Sequence, residues 1–197
     1  MNYLAHAYLS FNNPEILVGN MISDFVKGKK QFDYPDNIHK GIRLHRQIDQ
    51  FTDFHEATKM AKEIFRPSYR LYSAAFIDVV YDHFLATDED FFTEESLQLF
   101  TNEVYKMLNR HIKYFPENFS GMFPYMKSQN WLYNYRLRWG IEKSFAGVVR
   151  RSKYLEESET AFRLFNENYD LLKSYSRAFI REVIPYSRNN FIKLTME

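Results

Sequence analysis

The apolar residues of this chain recur at steps of three and four residues along most of its length. Phe, Tyr and Trp make up 18% of the sequence and follow the same spacing. Such steps place side chains on one face of an α-helix, whereas a half-buried strand needs strict alternation. The sequence therefore predicts an all-α helical bundle without strands. Its 197 residues are enough for one domain, residues 1–197, with a substantial hydrophobic core.

Turn and capping residues divide this pattern into helices. The predicted helices cover residues 1–11, 14–27, 38–65, 69–87, 93–114 and 158–182, with one or two short helices between residues 125 and 149. Residues 29–37 and 116–124 are predicted loops. Pro14 is expected to begin a helix, Gly28 to end one, and Pro67 to end or bend another, while Pro185 follows the last helix.

The overall composition excludes several classes of protein. Lys and Arg (26) nearly balance Asp and Glu (25), so no whole-molecule field attracts nucleic acid or an anionic membrane. The chain has no cysteine, which removes disulfides, thiolate nucleophiles and thiolate-bound zinc. No segment resembles a signal peptide or approaches the roughly 18 apolar residues of a membrane span. We therefore expect a cytoplasmic protein.

Titratable residues lie on two predicted helices in positions next to the core. His45 and Asp49 are four residues apart beside an apolar stripe, and can bind one divalent cation or form a hydrogen-bonded pair. On the next long helix, Asp78, Asp82 and His83 lie at the edge of the core. Asp82 and His83 are about 100° apart around the helix axis, so these three residues cannot all bind one ion.

His6 and Asp24 extend the set, because each shares a helix face with apolar neighbours. A buried carboxylate or imidazole is costly unless it is paired, hydrogen-bonded or metal-bound. One interpretation of the whole set is a metal site, and the alternative is a buried polar network that fixes the helix register.

Short segments of the chain together resemble one protein family. They are Asn2-Tyr3-Leu4-Ala5-His6, Gly19-Asn20, Asp24-Phe25-Val26-Lys27-Gly28, Gly41-Ile42, His45-Arg46, Ile48-Asp49, Thr52-Asp53 and Asp82-His83-Phe84-Leu85, followed more thinly by Gln129-Asn130-Trp131-Leu132, Tyr135 and Arg150-Arg151. With these segments the chain resembles the acyl carrier protein phosphodiesterases, a branch of the HD metal-dependent phosphohydrolases. In an ordinary HD protein His directly precedes Asp, whereas here the adjacent pair is Asp82-His83 and His45 is followed by Arg46.

The resemblance implies a fold similar to the HD domain and hydrolysis of the phosphodiester that joins 4'-phosphopantetheine to holo acyl carrier protein. It also implies Mn²⁺ or Mg²⁺ as the cofactor. The metal ligands expected on this basis are Asp24, His45, Asp49, Asp82 and His83, with His6 and Asp78 as further candidates. The expected catalytic residues are Asp24, His45, Arg46 and Asp49, with Arg46 and Lys27 reaching phosphate oxygens.

An acyl carrier protein is acidic, so the resemblance also predicts a basic docking surface. The candidate residues are Lys27, Lys29, Lys30, Arg150, Arg151 and Lys153, all of which equally suit a solvated surface. Trp131, Tyr133 and Tyr135 are candidates for the wall of a channel for the pantetheine arm, although core packing explains them as well.

Two other functions remain open from the sequence. The same ligands suit a metal-dependent phosphohydrolase of nucleotides or other small phosphoesters. A noncatalytic helical module is the third possibility. Such a module would bind an acidic partner through Arg150, Arg151 and Lys153, with its His and Asp residues serving structure alone.

Overall fold

A computed structural model describes residues 1–196 of the chain. Those residues form eleven α-helices with several single 3-10 turns and contain no strand, which confirms the predicted all-α class. The helices are α1 Tyr3–Tyr8, α2 Pro14–Ile22, α3 Asp36–Phe54, α4 Glu56–Tyr69, α5 Ser73–Thr87, α6 Glu94–Asn109, α7 Glu117–Ser128, α8 Trp131–Asn134, α9 Arg138–Arg151, α10 Glu159–Glu167 and α11 Tyr169–Met196. No helix within residues 1–196 combines the length and apolar character that crossing a membrane requires.

Helix α5 lies at the centre of the bundle, and α1, α4, α9 and α11 pack against it. Aromatic rings fill the interior: Phe76 stacks on Phe65 and meets Phe145 edge to face, while Tyr81 stacks on Phe179 of α11. All five rings are fully buried. Burial of such large apolar rings stabilises the folded state, so the aromatic-rich sequence stabilises the scaffold.

Helices α2 and α3 form the most closely packed pair, and two glycines permit this approach. A Cβ atom on Gly19 would overlap the carbonyl oxygen of Ile38, and a Cβ on Gly41 would overlap the carbonyl oxygen of Ile16. The two helix backbones are therefore in direct contact. This contact brings the end of α2 against the middle of α3, where His45 lies.

The short helix α1 is held at its N-terminus by a side chain from α5. The backbone N–H groups of Leu4 and Ala5 donate to the two carboxylate oxygens of Asp82, at 2.8 Å and 3.0 Å. The first N–H groups of a helix lack partners within the helix, and a carboxylate is favoured there. Asp82 therefore fixes α1, and with it His6, relative to α5.

Several predicted helix boundaries were wrong. The predicted helix 38–65 is interrupted at His55, whose extended backbone separates α3 from α4 and whose ring nitrogen accepts a hydrogen bond from the N–H of Ala57. The residues of the predicted loop 116–124 belong mostly to α7. Residues 29–33 of the predicted loop 29–37 form a 3-10 turn, and α2 ends at Ile22 instead of Lys27.

The chain's prolines account for most of the remaining differences. Pro67, Pro124 and Pro185 lie inside α4, α7 and α11. Pro67 was expected to end or bend its helix, Pro124 to lie in a loop, and Pro185 to follow the last helix. Proline removes only one N–H donor, and tertiary packing of the flanking turns outweighs that loss. The predicted helix 158–182 is divided at Asn168 into α10 and a long α11, which continues past Pro185 to Met196.

Candidate metal centre

Three side chains converge where α1, α2 and α3 meet. His6, His45 and Asp49 each offer one ligand atom, and these atoms all lie within 4.8 Å of one another. The two imidazole rings stack with their centroids 4.0 Å apart. Nε2 of His6 lies 3.3 Å from Oδ1 of Asp49, and Nε2 of His45 lies 3.0 Å from Oδ2. One carboxylate thus faces two imidazoles.

Asn20 of α2 fixes the orientation of both rings. Its backbone carbonyl accepts from Nδ1 of His45 at 2.7 Å, and its side-chain Oδ1 accepts from Nδ1 of His6 at 2.7 Å. The assignment of its amide is determined, because Nδ2 donates to the carbonyl of His6 and to the hydroxyl of Ser10. Each histidine therefore carries its proton on Nδ1, and each Nε2 is left for another partner.

The arrangement of His6, His45 and Asp49 is suitable for binding a metal cation. A neutral imidazole protonated on Nδ1 presents a lone pair at Nε2, so when both rings are neutral no hydrogen lies between either Nε2 atom and the carboxylate oxygens of Asp49. Nε2 of His6 is fully buried and has no hydrogen-bond partner. A hydrogen bond that fixes the other ring nitrogen is the usual arrangement around a metal-bound histidine. Two imidazoles and a carboxylate are suitable ligands for Mn²⁺ or another divalent ion.

The pKa values of His6 and His45 also fit a bound cation. Burial, together with the neighbouring His45, lowers the pKa of His6 to about 4, so this ring is neutral. Burial alone would also lower the pKa of His45, but hydrogen bonds to Asp24 and Asp49 raise it to about 9. A proton on His45 thus separates the carboxylates when no metal is bound. A divalent cation would replace that proton.

Two further acids, Asp24 and Asp78, lie next to this centre. Oδ1 of Asp24 lies 3.2 Å from Nε2 of His45, and its side chain is 69% exposed. The hydrogen bond to His45 lowers the pKa of Asp24. Asp78 is joined to the centre through the amino group of Met1, which lies 3.0 Å from Oδ1 of Asp78 and 3.4 Å from Oδ1 of Asp49. The structure therefore brings together His6, His45 and three of the predicted acids, with Asp24 open to solvent.

The other two predicted ligands have different surroundings. Both oxygens of Asp82 accept from α1, and burial raises its pKa to about 7. His83 lies among aromatic side chains, where Nδ1 donates to the carbonyl of Tyr135 at 2.7 Å and Nε2 is 3.0 Å from the hydroxyl of Tyr169. The structure does not bring His83 to the cluster, because both of its nitrogens are engaged elsewhere.

The predicted phosphate-binding residues Arg46 and Lys27 are exposed. Arg46 donates to Oε1 of Gln31 and to the carbonyl of Val26, so it braces the turn that carries Lys27, Lys29 and Lys30. Tyr133, a predicted channel residue, donates to Glu94 at the surface. Neither Arg46 nor Tyr133 contacts the His/Asp cluster in this arrangement.

A cleft of about 610 Å³ opens beside the centre, and we call it the inner cleft. Its lining includes Asp24 and Asp78, which adjoin the centre, together with Trp131, Arg150 and Arg151. A second cavity of about 810 Å³, the outer cleft, is lined by Tyr135, Trp139, Gly140, Lys143 and Gly147 and also by Asn2, Tyr3, Trp131, Arg150 and Arg151. Since the two clefts share these last residues, they adjoin one another.

The geometry defines a class: an all-helical protein whose clustered His and Asp side chains could hold a divalent cation, beside a cleft suited to a small ligand. Comparison with known proteins then gives the family. The family model described as acyl carrier protein phosphodiesterase matches residues 1–183, and the chain belongs to this family.

Curated relatives agree over almost their full length. The acyl carrier protein phosphodiesterase of Klebsiella pneumoniae is 32% identical over 193 residues, which cover 96% of this chain and 98% of that protein. The protein of the same description from Photorhabdus laumondii is 32% identical over 170 residues, or 86% of each chain. The Yersinia pestis protein is 31% identical over 91% of this chain and 93% of its own. No solved structure matches the chain significantly.

Proposed function

We propose that this protein hydrolyses the phosphodiester that joins 4'-phosphopantetheine to holo acyl carrier protein, giving apo acyl carrier protein and free 4'-phosphopantetheine. The observation that carries the proposal is the His6/His45/Asp49 cluster beside the inner cleft, in a chain that belongs to the acyl carrier protein phosphodiesterase family. Water attacks phosphorus, the bond from phosphorus to the carrier protein's oxygen breaks, and that oxygen takes up a proton.

The proposed cation is Mn²⁺ or Mg²⁺, held by His6, His45 and Asp49, with Asp24 in reach. Bound there, it supplies charge neutralisation at the phosphoryl oxygens and lowers the pKa of a water molecule. Asp82 and His83 are outside the proposed ligand set, because their polar atoms already bind α1 and two tyrosines.

The residues of the chain have distinct proposed roles. Asn20 orients both imidazoles, and Asp49 holds them at a fixed separation. Asp24 is exposed to the cleft and accepts a proton from the attacking water. Lys27, Lys29 and Lys30 form an exposed basic turn beside α3, which we propose as a docking surface for the acidic carrier protein. The proposed location is the cytoplasm, with the carrier protein.

Intact-mass spectrometry of holo acyl carrier protein, incubated with the purified protein and Mn²⁺, tests the reaction. We expect the mass of the carrier protein to fall by one phosphopantetheinyl group, and a chelator to prevent this loss. Asp49→Asn should prevent it as well, because the amide cannot replace the carboxylate between two imidazoles.

Asp53→Asn is the matched control. Asp53 lies four residues further along α3, where its exposed carboxylate pairs with Lys62. Full activity of this variant shows that loss in Asp49→Asn is specific to the centre. An unchanged mass with every metal would contradict the proposal. Turnover of small phosphoesters alone would instead favour the broader phosphohydrolase function, and absence of metal uptake would favour a noncatalytic helical module.

A further inference from the structure

The inner and outer clefts differ in charge, and the residues they share lie at the boundary. Asp24 and Asp78 line the inner cleft, whereas the lining of the outer cleft contains Lys143 and no acid among residues 1–196. Arg150 and Arg151, at the C-terminal end of α9, line both. An anion placed at this boundary would have the metal centre on one side and two guanidinium groups on the other.

The guanidinium groups of Arg150 and Arg151 form no ion pair or hydrogen bond within residues 1–196. Within the part of the chain that the structure describes, no carboxylate or hydrogen-bond acceptor contacts either of them, although Arg66, Arg136, Arg163 and Arg177 all form ion pairs. Nη1 of Arg151 lies over Gly147, where the missing side chain leaves room in the cleft. Unpaired guanidinium groups beside a cavity favour an anion whose two oxygens can accept from one planar guanidinium, such as a phosphate.

The outer cleft has the chemistry of a long, neutral amide chain. Trp131, Trp139 and Tyr135 supply apolar walls, and Asn2, Gln129 and Ser144 supply hydrogen-bonding groups. Gly140 permits α8 to approach α9 here, because a Cβ atom at this position would overlap the carbonyl oxygen of Asn134. Its volume of about 810 Å³ lies within the usual range for ligand sites.

From this arrangement we infer that Arg150 and Arg151 bind the phosphate of the substrate at the boundary of the clefts, and that its pantetheine arm lies in the outer cleft along Trp131 and Trp139. This inference rests on the proposed function for the identity of the ligand. Arg150 and Arg151 then bind the phosphate and do not dock the surface of the carrier protein. Trp131 and Trp139 contact the pantetheine arm.

The two tryptophans make the inference directly measurable. Trp131 and Trp139 are the only tryptophans of the chain, and both line the outer cleft. We expect 4'-phosphopantetheine, titrated into the protein, to change the tryptophan fluorescence, and to bind more tightly than pantetheine, which lacks the phosphate. Since hydrogen bonds to charged groups are the strong ones, the expected ratio of the two dissociation constants is roughly 10-fold to 100-fold.

Arg151→Gln and Arg150→Gln should each reduce this ratio towards one while leaving the affinity for pantetheine unchanged. Arg163→Gln is the control, because Arg163 is an exposed arginine that pairs with Glu167 and lines neither cleft. Trp131→Phe and Trp139→Phe identify which ring reports the ligand. A phosphate preference retained in both arginine variants, or no fluorescence change in the unaltered protein, would overturn the inference.

The same variants, assayed on holo acyl carrier protein, separate this inference from the proposed function. If the unaltered protein hydrolyses holo acyl carrier protein but the arginine variants keep their preference for phosphate, this inference is wrong and the proposed function stands. If Arg151→Gln loses the preference for phosphate but the unaltered protein does not hydrolyse holo acyl carrier protein, the binding site is supported and the proposed reaction is wrong. If both hold, Arg150→Gln and Arg151→Gln should also lower kcat/KM on the carrier protein, whereas Arg163→Gln should not.

Discussion

His45 and His83 are both buried histidines on long helices, and each donates its Nδ1 proton to a backbone carbonyl at 2.7 Å. They differ in what faces the other nitrogen. Nε2 of His45 meets carboxylate oxygens of Asp24 and Asp49, whereas Nε2 of His83 meets the hydroxyl of Tyr169. A hydroxyl can donate to a neutral imidazole, but a carboxylate cannot. Nε2 of His45 therefore needs a proton or a metal ion between it and the two carboxylates. Both nitrogens of His83 have hydrogen-bond partners without one.

Replacing His45 should have the largest effect. In His45→Gln we expect binding of Mn²⁺ and hydrolysis of holo acyl carrier protein both to be lost, because one of the three converging ligand atoms is removed. Calorimetric titration of the chelator-treated protein with Mn²⁺ measures the binding, and circular dichroism checks the helical fold. Unaltered Mn²⁺ affinity in this folded variant would show that the ion binds elsewhere.

Removing the orienting amide should have an intermediate effect. In Asn20→Ala, Nδ1 of His6 loses its acceptor while the carbonyl that holds His45 remains. The loss of such an orienting hydrogen bond typically weakens metal affinity by about 10-fold to 100-fold. Tyr169→Phe makes the equivalent change at His83, and we expect no change in Mn²⁺ affinity there. Equal losses in the two variants would remove the distinction between the two histidines.

Replacing His83 should affect stability and spare the metal centre. His83→Leu leaves the carbonyl of Tyr135 without its donor and the hydroxyl of Tyr169 without its partner, in a largely buried environment. An unsatisfied buried polar group costs about 1–3 kcal/mol, so the free energy of unfolding in urea should fall by that order. Mn²⁺ affinity, measured by titration, should stay within error of the unaltered protein. A large loss of Mn²⁺ affinity would restore His83 as a ligand.

The sequence predicts the class of fold and most of the acids and imidazoles of the centre, because helical periodicity places His45 with Asp49 on one face. It does not distinguish His83 from His45, since both lie beside apolar residues on amphipathic helices. The difference is made by Asp24 and Asp49 in one case and by Tyr169 in the other. Tyr169 is 86 residues away from His83 along the chain, and such long-range contacts leave no local pattern.

Asn20 shows the same limit. The segment Gly19-Asn20 contributes to the family resemblance, but only the close contact of α2 with α3 shows that one asparagine holds both imidazoles.

The predicted helix boundaries at prolines were wrong for a related reason. Pro67, Pro124 and Pro185 all lie within helices, because packing against neighbouring elements outweighs the loss of one backbone hydrogen bond.

The pH dependence of stability tests the same contrast between His83 and His45 with opposite signs. Burial lowers the pKa of His83 to about 4, with Arg138 and Lys173 acting in the same direction. Its contribution to stability is fully present above the unfolded value of about 6.5 and is lost as the pH falls towards 4, because the unfolded chain binds the proton first. His83→Leu should therefore flatten the decline in unfolding free energy between these two pH values.

His45 should act in the opposite direction when metal is absent. Its pKa, raised to about 9 by hydrogen bonds with Asp24 and Asp49 against the effect of burial, lies above the unfolded value of about 6.5. The stabilisation is then complete below pH 6.5 and is lost as the pH rises towards 9. The free energy of unfolding in urea, measured with a chelator for the unaltered protein and for His45→Gln, gives this contribution of His45 as a function of pH. Slopes of the same sign for His45 and His83 would contradict the assignment of one histidine to a cation site and the other to the core.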